Sequence, residues 1–132
     1  MKILIAEDDF ISRTLLQDML SPLGICHVAM EGIEAMAAYK QALETKEPYD
    51  LVCLDIMMPN LNGQEVLTQI RDIEKKRGIW GSDMSKIIMV TALDDARNIM
   101  AALMKGSCDA YLVKPVDRDK LFAEIKRMGL VA

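Results

Sequence analysis

Polar residues that could do chemistry follow four short apolar runs of this chain. Glu7 and Asp8 come after the first run, and Asp55 comes after the second. Thr91 and Lys114 follow the third and fourth runs in the same way. Carboxylates bind hard divalent cations, and a carboxylate can also attack phosphorus to form an acyl phosphate. A hydroxyl and an ammonium can hold the oxygens of such a group. The four runs are Ile3–Ala6, Leu51–Leu54, Ile87–Val90 and Tyr111–Val113.

The apolar runs are short and continuous, which is typical of strands buried inside a parallel sheet. Parallel strands have their carboxyl ends at one edge of the sheet, so we expect the five polar residues to lie together there. Ligands of open α/β sheets bind at this edge. Neighbouring carboxylates repel one another, and a divalent cation would relieve that repulsion. Asp9, the next acid in the chain, is expected to cap the following helix instead.

Helical patterns separate the predicted strands, with apolar residues recurring at spacings of three and four. A second strand is predicted from Ile25 to Met30, a fourth helix near Asp94 and a fifth from about Asp117. Five repeats of strand and helix predict an α/β fold, a doubly wound parallel sheet with helices on both faces. A chain of 132 residues suits one core, so we expect residues 1–132 to form a single domain.

The composition argues against several classes of function. The net charge is -4 and no basic run stands out, so we expect no direct nucleic-acid partner. No apolar stretch reaches transmembrane length and the start lacks signal-peptide features, so we expect a cytoplasmic protein without a membrane partner. Cys26, Cys53 and Cys108 lack metal-site spacing, and Cys53 is expected in the core.

Four segments of the sequence closely resemble the motifs of the receiver domain of bacterial two-component response regulators, in particular a stand-alone receiver of the chemotaxis type. Each segment alone has low specificity, whereas four of them in the same order and spacing are highly specific. The resemblance covers nearly the whole chain. The segments are Ile3–Asp9, Leu54–Gly63, Val90–Ala92 and Lys114–Pro115.

The resemblance implies a flavodoxin-like (βα)5 fold with the strand order 2-1-3-4-5. It implies that Asp55 accepts a phosphoryl group, that Asp8 and Asp55 bind Mg²⁺ (or Mn²⁺) directly, and that Glu7 acts mostly through metal-bound water. Met57 would add its backbone carbonyl to the metal site. No other cofactor is implied. The protein would not be a classical enzyme, but it would catalyse its own phosphorylation and dephosphorylation.

The resemblance also assigns roles to the other residues at this edge of the sheet. Thr91 and Lys114 would contact the phosphoryl oxygens. Thr91 and Tyr111 would form the switch, because an aromatic at the Tyr111 position turns inward when the Thr91 hydroxyl moves toward the new group. The Lys114–Pro115 bond is expected to be cis, and Gly63 is expected to allow a tight turn after the acceptor loop.

A phosphorylation-activated switch needs protein partners. The resemblance implies a sensor histidine kinase or a phosphotransfer protein as phosphodonor, and an effector protein that binds the face formed by the fourth helix, fifth strand and fifth helix. The molecule would be a monomer or a phosphorylation-dependent dimer. It is either a stand-alone receiver or a piece of a longer protein. The loop with Trp80 is either a partner site or an insertion whose ring packs locally, and we favour local packing.

Two positions that influence hydrolysis in this family hold apolar residues here. They lie two residues beyond the acceptor and two beyond the threonine, where this chain has Met57 and Leu93. Neither side chain can orient an attacking water molecule. We therefore expect a long-lived phosphorylated form, lasting minutes to hours rather than seconds.

Three other functions fit part of the pattern. An aspartate-based phosphohydrolase of the haloacid dehalogenase type also uses acids and Mg²⁺, but it needs a second Asp where Met57 stands. A flavodoxin-like cofactor protein would need a Gly-rich phosphate loop and more aromatic residues than the 5% found here. A receiver that docks without phosphorylation is disfavoured because the acceptor, the acids, the threonine and the lysine are all present.

Overall fold

Strands and helices alternate along the chain in the computed structural model, which describes residues 1–92 and 108–131. The strands are β1 (Lys2–Ala6), β2 (Ile25–Ala29), β3 (Leu51–Asp55), β4 (Lys86–Thr91) and β5 (Ala110–Val113). The helices are α1 (Phe10–Leu20), α2 (Gly32–Glu44), α3 (Gly63–Lys76) and the C-terminal helix (Arg118–Arg127). Short 3₁₀ turns occupy Ser21–Leu23 and Gly81–Asp83. The predicted fourth helix and Leu93 lie outside the described residues.

The five strands form one parallel sheet in the order β2-β1-β3-β4-β5, which confirms the predicted doubly wound, flavodoxin-like arrangement. The register aligns the carboxyl ends of the central strands. Ala6 pairs with Leu54, and Asp55 pairs with Val90. Residues that follow β1 therefore meet the last residue of β3 at the same edge of the sheet.

The central strands are buried on both faces, which explains why they appear in the sequence as continuous apolar runs. Leu4 and Val52 pack on the side of α2 and α3, together with Met36, Val66 and Ile70. Ile3, Ile5 and Cys53 pack on the other side, with Leu16 and Leu20 of α1 and with Leu121 and Ile125 of the C-terminal helix. Cys53 is a core residue, as predicted.

Side-chain caps fix where the helices next to the site begin. Asp9 accepts a hydrogen bond from the Ser12 N–H at 2.9 Å, so its predicted capping role is confirmed. Asn62 and Glu65 form a capping box at the start of α3. Gly63 lies so close to the end of β3 that a Cβ atom there would clash with the Asp55 carbonyl oxygen. The acceptor loop is therefore held tightly against the strand.

The Trp80 loop differs from its prediction. Trp80 is 63% exposed, so the expectation that its ring packs locally was wrong. The reason is its position in the surface connection between α3 and β4, where Arg77, Gly78 and Gly81–Asp83 are exposed as well. No helix within the described part of the chain is long and apolar enough to cross a bilayer.

Candidate functional site

Three carboxylates meet at the carboxyl ends of β1 and β3. Glu7 and Asp8 directly follow β1, and Asp55 is the last residue of β3. One oxygen from each lies within 4.8 Å of the others. Glu7 is fully buried and Asp55 is 4% exposed, whereas Asp8 is exposed. The cluster thus has a buried floor and one side open to solvent.

Lys114 supplies a positive charge to this cluster from the residue after β5. Its Nζ lies 2.6 Å from Glu7 Oε1 and 3.5 Å from Asp55 Oδ2. Among the described residues, the Lys114 ammonium is the group that compensates the buried Glu7 Oε1. Buried charges are costly unless they are paired, and one ammonium cannot balance three carboxylates.

Burial and charge alter the acid–base behaviour of the site. Burial raises the pKa of the Asp55 carboxyl, and hydrogen bonding and repulsion from the Glu7 carboxylate raise it further. The Lys114 ammonium partly offsets this effect. Burial tends to lower the pKa of Lys114, but its contacts with Glu7 and Asp55 outweigh burial and raise that pKa. The cluster therefore attracts either protons or another cation.

The loop after Asp55 is fixed by its backbone and carries Met57. The Met57 N–H donates to Asp55 Oδ1 at 3.2 Å. The loop is anchored by the Ile56 N–H, which donates to the Val90 carbonyl, and by the Gly63 N–H, which donates to the Ile56 carbonyl. The Met57 side chain is 61% exposed. It stands at the rim of the site and brings no polar group to it.

Thr91 lies on β4, which is paired with the strand of Asp55, and Tyr111 lies on β5, the next strand of the sheet. Thr91 ends β4 and is fully buried, and its hydroxyl donates to the Ala92 carbonyl at 3.2 Å. The Lys114 N–H donates to the Thr91 carbonyl at 2.8 Å, which ties these two strand ends together. Tyr111 is 42% exposed on β5. The Lys114–Pro115 bond is cis, as predicted.

The donor set fits Mg²⁺. Magnesium binds oxygen ligands, usually one or two carboxylates, and keeps several waters. Glu7, Asp8 and Asp55 supply carboxylate oxygens in excess of the positive charge from Lys114. The exposed position of Asp8 leaves room for water and for a second ligand. The site is therefore suited to a hydrated divalent cation.

Sequence reasoning missed Arg13, which lies in α1 one turn after the acids. Its Nη1 donates to the Glu7 carbonyl at 3.1 Å and makes a longer contact of 3.4 Å to the Asp8 carbonyl. The available signal was a basic residue in the first turns of the helix that follows the acids. That pattern is common on solvated helix faces, so it does not by itself indicate a role.

Comparison with known proteins identifies the family. The family model of the response regulator receiver domain matches residues 3–126. The chain belongs to the response regulator receiver family. The receiver is 37% identical over 126 residues to a probable transcriptional regulator, ycf27, from Guillardia theta; the match covers 95% of this chain and 44% of that protein. The receiver spans only 12% of a probable histidine kinase 2 from Oryza sativa, so it covers less than half of either relative.

Two solved structures resemble the receiver over nearly its whole length. One is the CheX–CheY–BeF3–Mg²⁺ complex from Borrelia burgdorferi, with 27% identity and a TM-score of 0.78, covering 97% of this chain and 88% of that chain. The other is TrrA from Thermotoga maritima in complex with Mg²⁺ and BeF, with 31% identity and a TM-score of 0.73, covering 96% and 97%. The protein is therefore a receiver of two-component signalling, a family whose members work with histidine kinases and effectors.

Proposed function

We propose that this receiver is a phosphorylation-activated switch in which Asp55 accepts a phosphoryl group in the presence of Mg²⁺. The observation that carries the proposal is the meeting of Asp55 with Glu7 and Asp8 within 4.8 Å, with the Lys114 ammonium 3.5 Å from Asp55. This arrangement combines a nucleophile, a cation site and a positive charge for phosphoryl oxygens.

In the transfer step, a carboxylate oxygen of Asp55 attacks phosphorus in the phosphodonor. The new O–P bond forms while the bond from phosphorus to the donor nitrogen or oxygen breaks, and its electron pair stays with the donor. Lys114 and Thr91 would hold the phosphoryl oxygens as charge moves onto them. Hydrolysis later adds water at phosphorus, releases inorganic phosphate and restores the Asp55 carboxylate.

Glu7, Asp8 and Asp55 would hold the metal ion, together with the backbone carbonyl of Met57. When bound, the ion supplies charge neutralisation for the transferring group. The Met57 N–H already donates to Asp55 Oδ1, which orients the carboxylate before the donor arrives. A phosphoryl-transfer site works by such preorganisation, because the protein mainly positions the reacting groups and neutralises their charge.

The donor would be a sensor histidine kinase or a phosphotransfer protein, and the output would be a change in binding to an effector protein. The effector face would include β5 and the C-terminal helix. Support comes from Tyr111, which is 42% exposed on β5, two residues before Val113, the register partner of Thr91. A phosphoryl group that draws in the Thr91 hydroxyl could thereby alter this face. The modification acts by stabilising one conformation over another.

Intact-mass spectrometry with acetyl phosphate tests the chemistry. Wild type should gain one phosphoryl group when Mg²⁺ is present and none when the metal is chelated. Asp55→Asn should gain none. Asp9→Asn is the matched control, because it removes a neighbouring acid and keeps a good helix cap. No adduct in wild type, or an undiminished adduct in Asp55→Asn, would contradict the proposal.

A further inference from the structure

Arg13 connects the first turns of α1 to the segment that carries two of the three acids. Its guanidinium donates through Nη1 to the Glu7 carbonyl at 3.1 Å and lies 3.4 Å from the Asp8 carbonyl. The residue is partly buried. Its contacts are with the backbone that bears the acids, so it can position the ligands of the site through Glu7 and Asp8.

The guanidinium is held in place by its own helix. It lies over the Phe10 ring, 5.5 Å from the ring centroid. The Arg13 N–H donates to the Asp9 carbonyl at 2.9 Å, and the Asp9 side chain caps the Ser12 N–H. The capped helix start and the contact with the Phe10 ring restrict the Arg13 side chain, and a restricted donor loses less conformational entropy when it binds a carbonyl.

The acid-bearing segment needs such support. Glu7 is fixed by burial and by its N–H, which donates to the Ala29 carbonyl at 3.0 Å. Asp8 is exposed, so packing does little to place its carboxylate. Its position depends on the peptide units on either side, whose carbonyl oxygens are those that Arg13 contacts.

We propose that Arg13 is a positioning residue that holds the Glu7–Asp8 backbone in the arrangement needed to bind a divalent cation. This inference rests on the metal site of the proposed function and adds a residue that determines its affinity. Groups that orient metal ligands from outside typically contribute about 10-fold to 100-fold in metal affinity.

The positioning role and a plain charge effect predict opposite results. A cation beside a metal site repels the metal, so removing it should tighten Mg²⁺ binding if charge alone matters. If Arg13 positions the ligands, its removal should weaken binding although a repulsive charge is lost. The sign of the change in Mg²⁺ dissociation constant therefore separates the two.

Calorimetric titration of Mg²⁺ into the full chain, without any phosphodonor, provides the test. Arg13→Met keeps an unbranched apolar stem but removes the guanidinium, and should raise the dissociation constant by roughly tenfold. Arg13→Lys keeps the charge and should show an intermediate loss. Arg118→Met is the matched control, because Arg118 also stacks on a phenylalanine, Phe122, and its loss removes the same charge. That control should bind Mg²⁺ as tightly as wild type or more tightly.

Thermal unfolding in chelator should show that the Arg13 variants remain folded. As a second readout, the Arg13→Met phosphorylation rate should recover at saturating Mg²⁺. Unchanged or tighter Mg²⁺ binding by Arg13→Met would overturn the inference, and so would a wild-type protein that binds no Mg²⁺. If wild type binds Mg²⁺ and Arg13→Met binds it weakly, but acetyl phosphate leaves Asp55 unmodified, the positioning role stands and the proposed function fails.

Discussion

The Lys114 ammonium lies closer to Glu7 than to Asp55, at 2.6 Å from Glu7 Oε1 and 3.5 Å from Asp55 Oδ2. In the absence of a metal ion, Lys114 is thus the main counter-ion of the fully buried Glu7. It makes only the longer contact with Asp55, the proposed nucleophile. A cation bound among the acids would take over this role and free the ammonium for phosphoryl oxygens.

Replacing Lys114 should therefore have opposite effects on stability and on metal affinity. Lys114→Met should lower the free energy of unfolding by about 1–2 kcal/mol without metal, because it leaves the Glu7 carboxylate unpaired. The same variant should bind Mg²⁺ more tightly than wild type, because a competing cation is gone. Urea unfolding and Mg²⁺ titration measure the two effects, with Lys114→Arg as the charge-preserving control. Weaker Mg²⁺ binding by Lys114→Met would contradict this account.

The stability of the metal-free protein should depend on pH through Asp55. The pKa of the Asp55 carboxyl is raised above its ordinary value of 3.8 in the folded state, so between these two values the unfolded chain has lost the carboxyl proton while the folded protein still holds it. The free energy of unfolding should therefore fall as the pH rises from 3.8 through the pKa of the folded protein. Mg²⁺ should restore the lost stability.

Asp55→Asn should remove most of this pH dependence. It should also raise the stability of the metal-free protein at neutral pH by roughly 1–2 kcal/mol, because asparagine has no proton to hold and no charge to bury beside Glu7 and Asp8. Thermal unfolding in chelator, across a pH series, is the measurement. An Asp55→Asn protein that is less stable than wild type at neutral pH would show that the acids do not strain the fold.

The phosphorylated form should persist for minutes to hours. Met57 stands at the rim of the site, 61% exposed, and has no group that could orient water. Met57→Asn should shorten the half-life by roughly tenfold or more, since a polar side chain there can position the attacking water. Met57→Leu, which is similar in size and apolar, should leave it unchanged. Dephosphorylation followed by intact mass gives the rates, and a wild-type half-life of a few seconds would refute the expectation.

Tyrosine labelling can follow the predicted switch. The chain has three tyrosines, of which Tyr39 and Tyr49 are buried and Tyr111 is 42% exposed. Acetylation by N-acetylimidazole should modify Tyr111 fastest in the unphosphorylated protein. Saturating beryllofluoride with Mg²⁺ should slow that reaction several-fold, as the ring turns inward, and Thr91→Val should abolish the slowing. Equal Tyr111 reactivity with and without beryllofluoride would argue against the switch.

The sheet and the acid cluster could be predicted because both follow from local patterns and one general rule. Strands buried on both faces appear as continuous apolar runs, and parallel strands bring their carboxyl ends to one edge. These two facts place Glu7, Asp8, Asp55, Thr91 and Lys114 together before any contact is known. The pairing of Lys114 with Glu7 could not be predicted, because it depends on distances of a few ångströms between separate strands.

Other features depend on tertiary neighbours that the sequence does not reveal. Glu74 looks like an ordinary surface charge of α3, yet it is 1% exposed. It accepts the Ser85 N–H at 2.8 Å and pairs with Arg71, which in turn reaches Asp109 at 3.0 Å. This network ties α3 to the starts of β4 and β5. Trp80 shows the opposite case, an apolar ring that stays exposed in the connection between α3 and β4.

The role of Asp55 as phosphoryl acceptor is decided by identifying the modified residue. After reaction with acetyl phosphate and Mg²⁺, borohydride reduces an aspartyl phosphate to homoserine, and peptide mass spectrometry then locates the changed residue. Homoserine is expected at position 55 alone, and none is expected when Mg²⁺ is chelated. Reduction at Glu7 or Asp8 instead, or no reduced residue in protein exposed to ample acetyl phosphate and Mg²⁺, would contradict this role of Asp55.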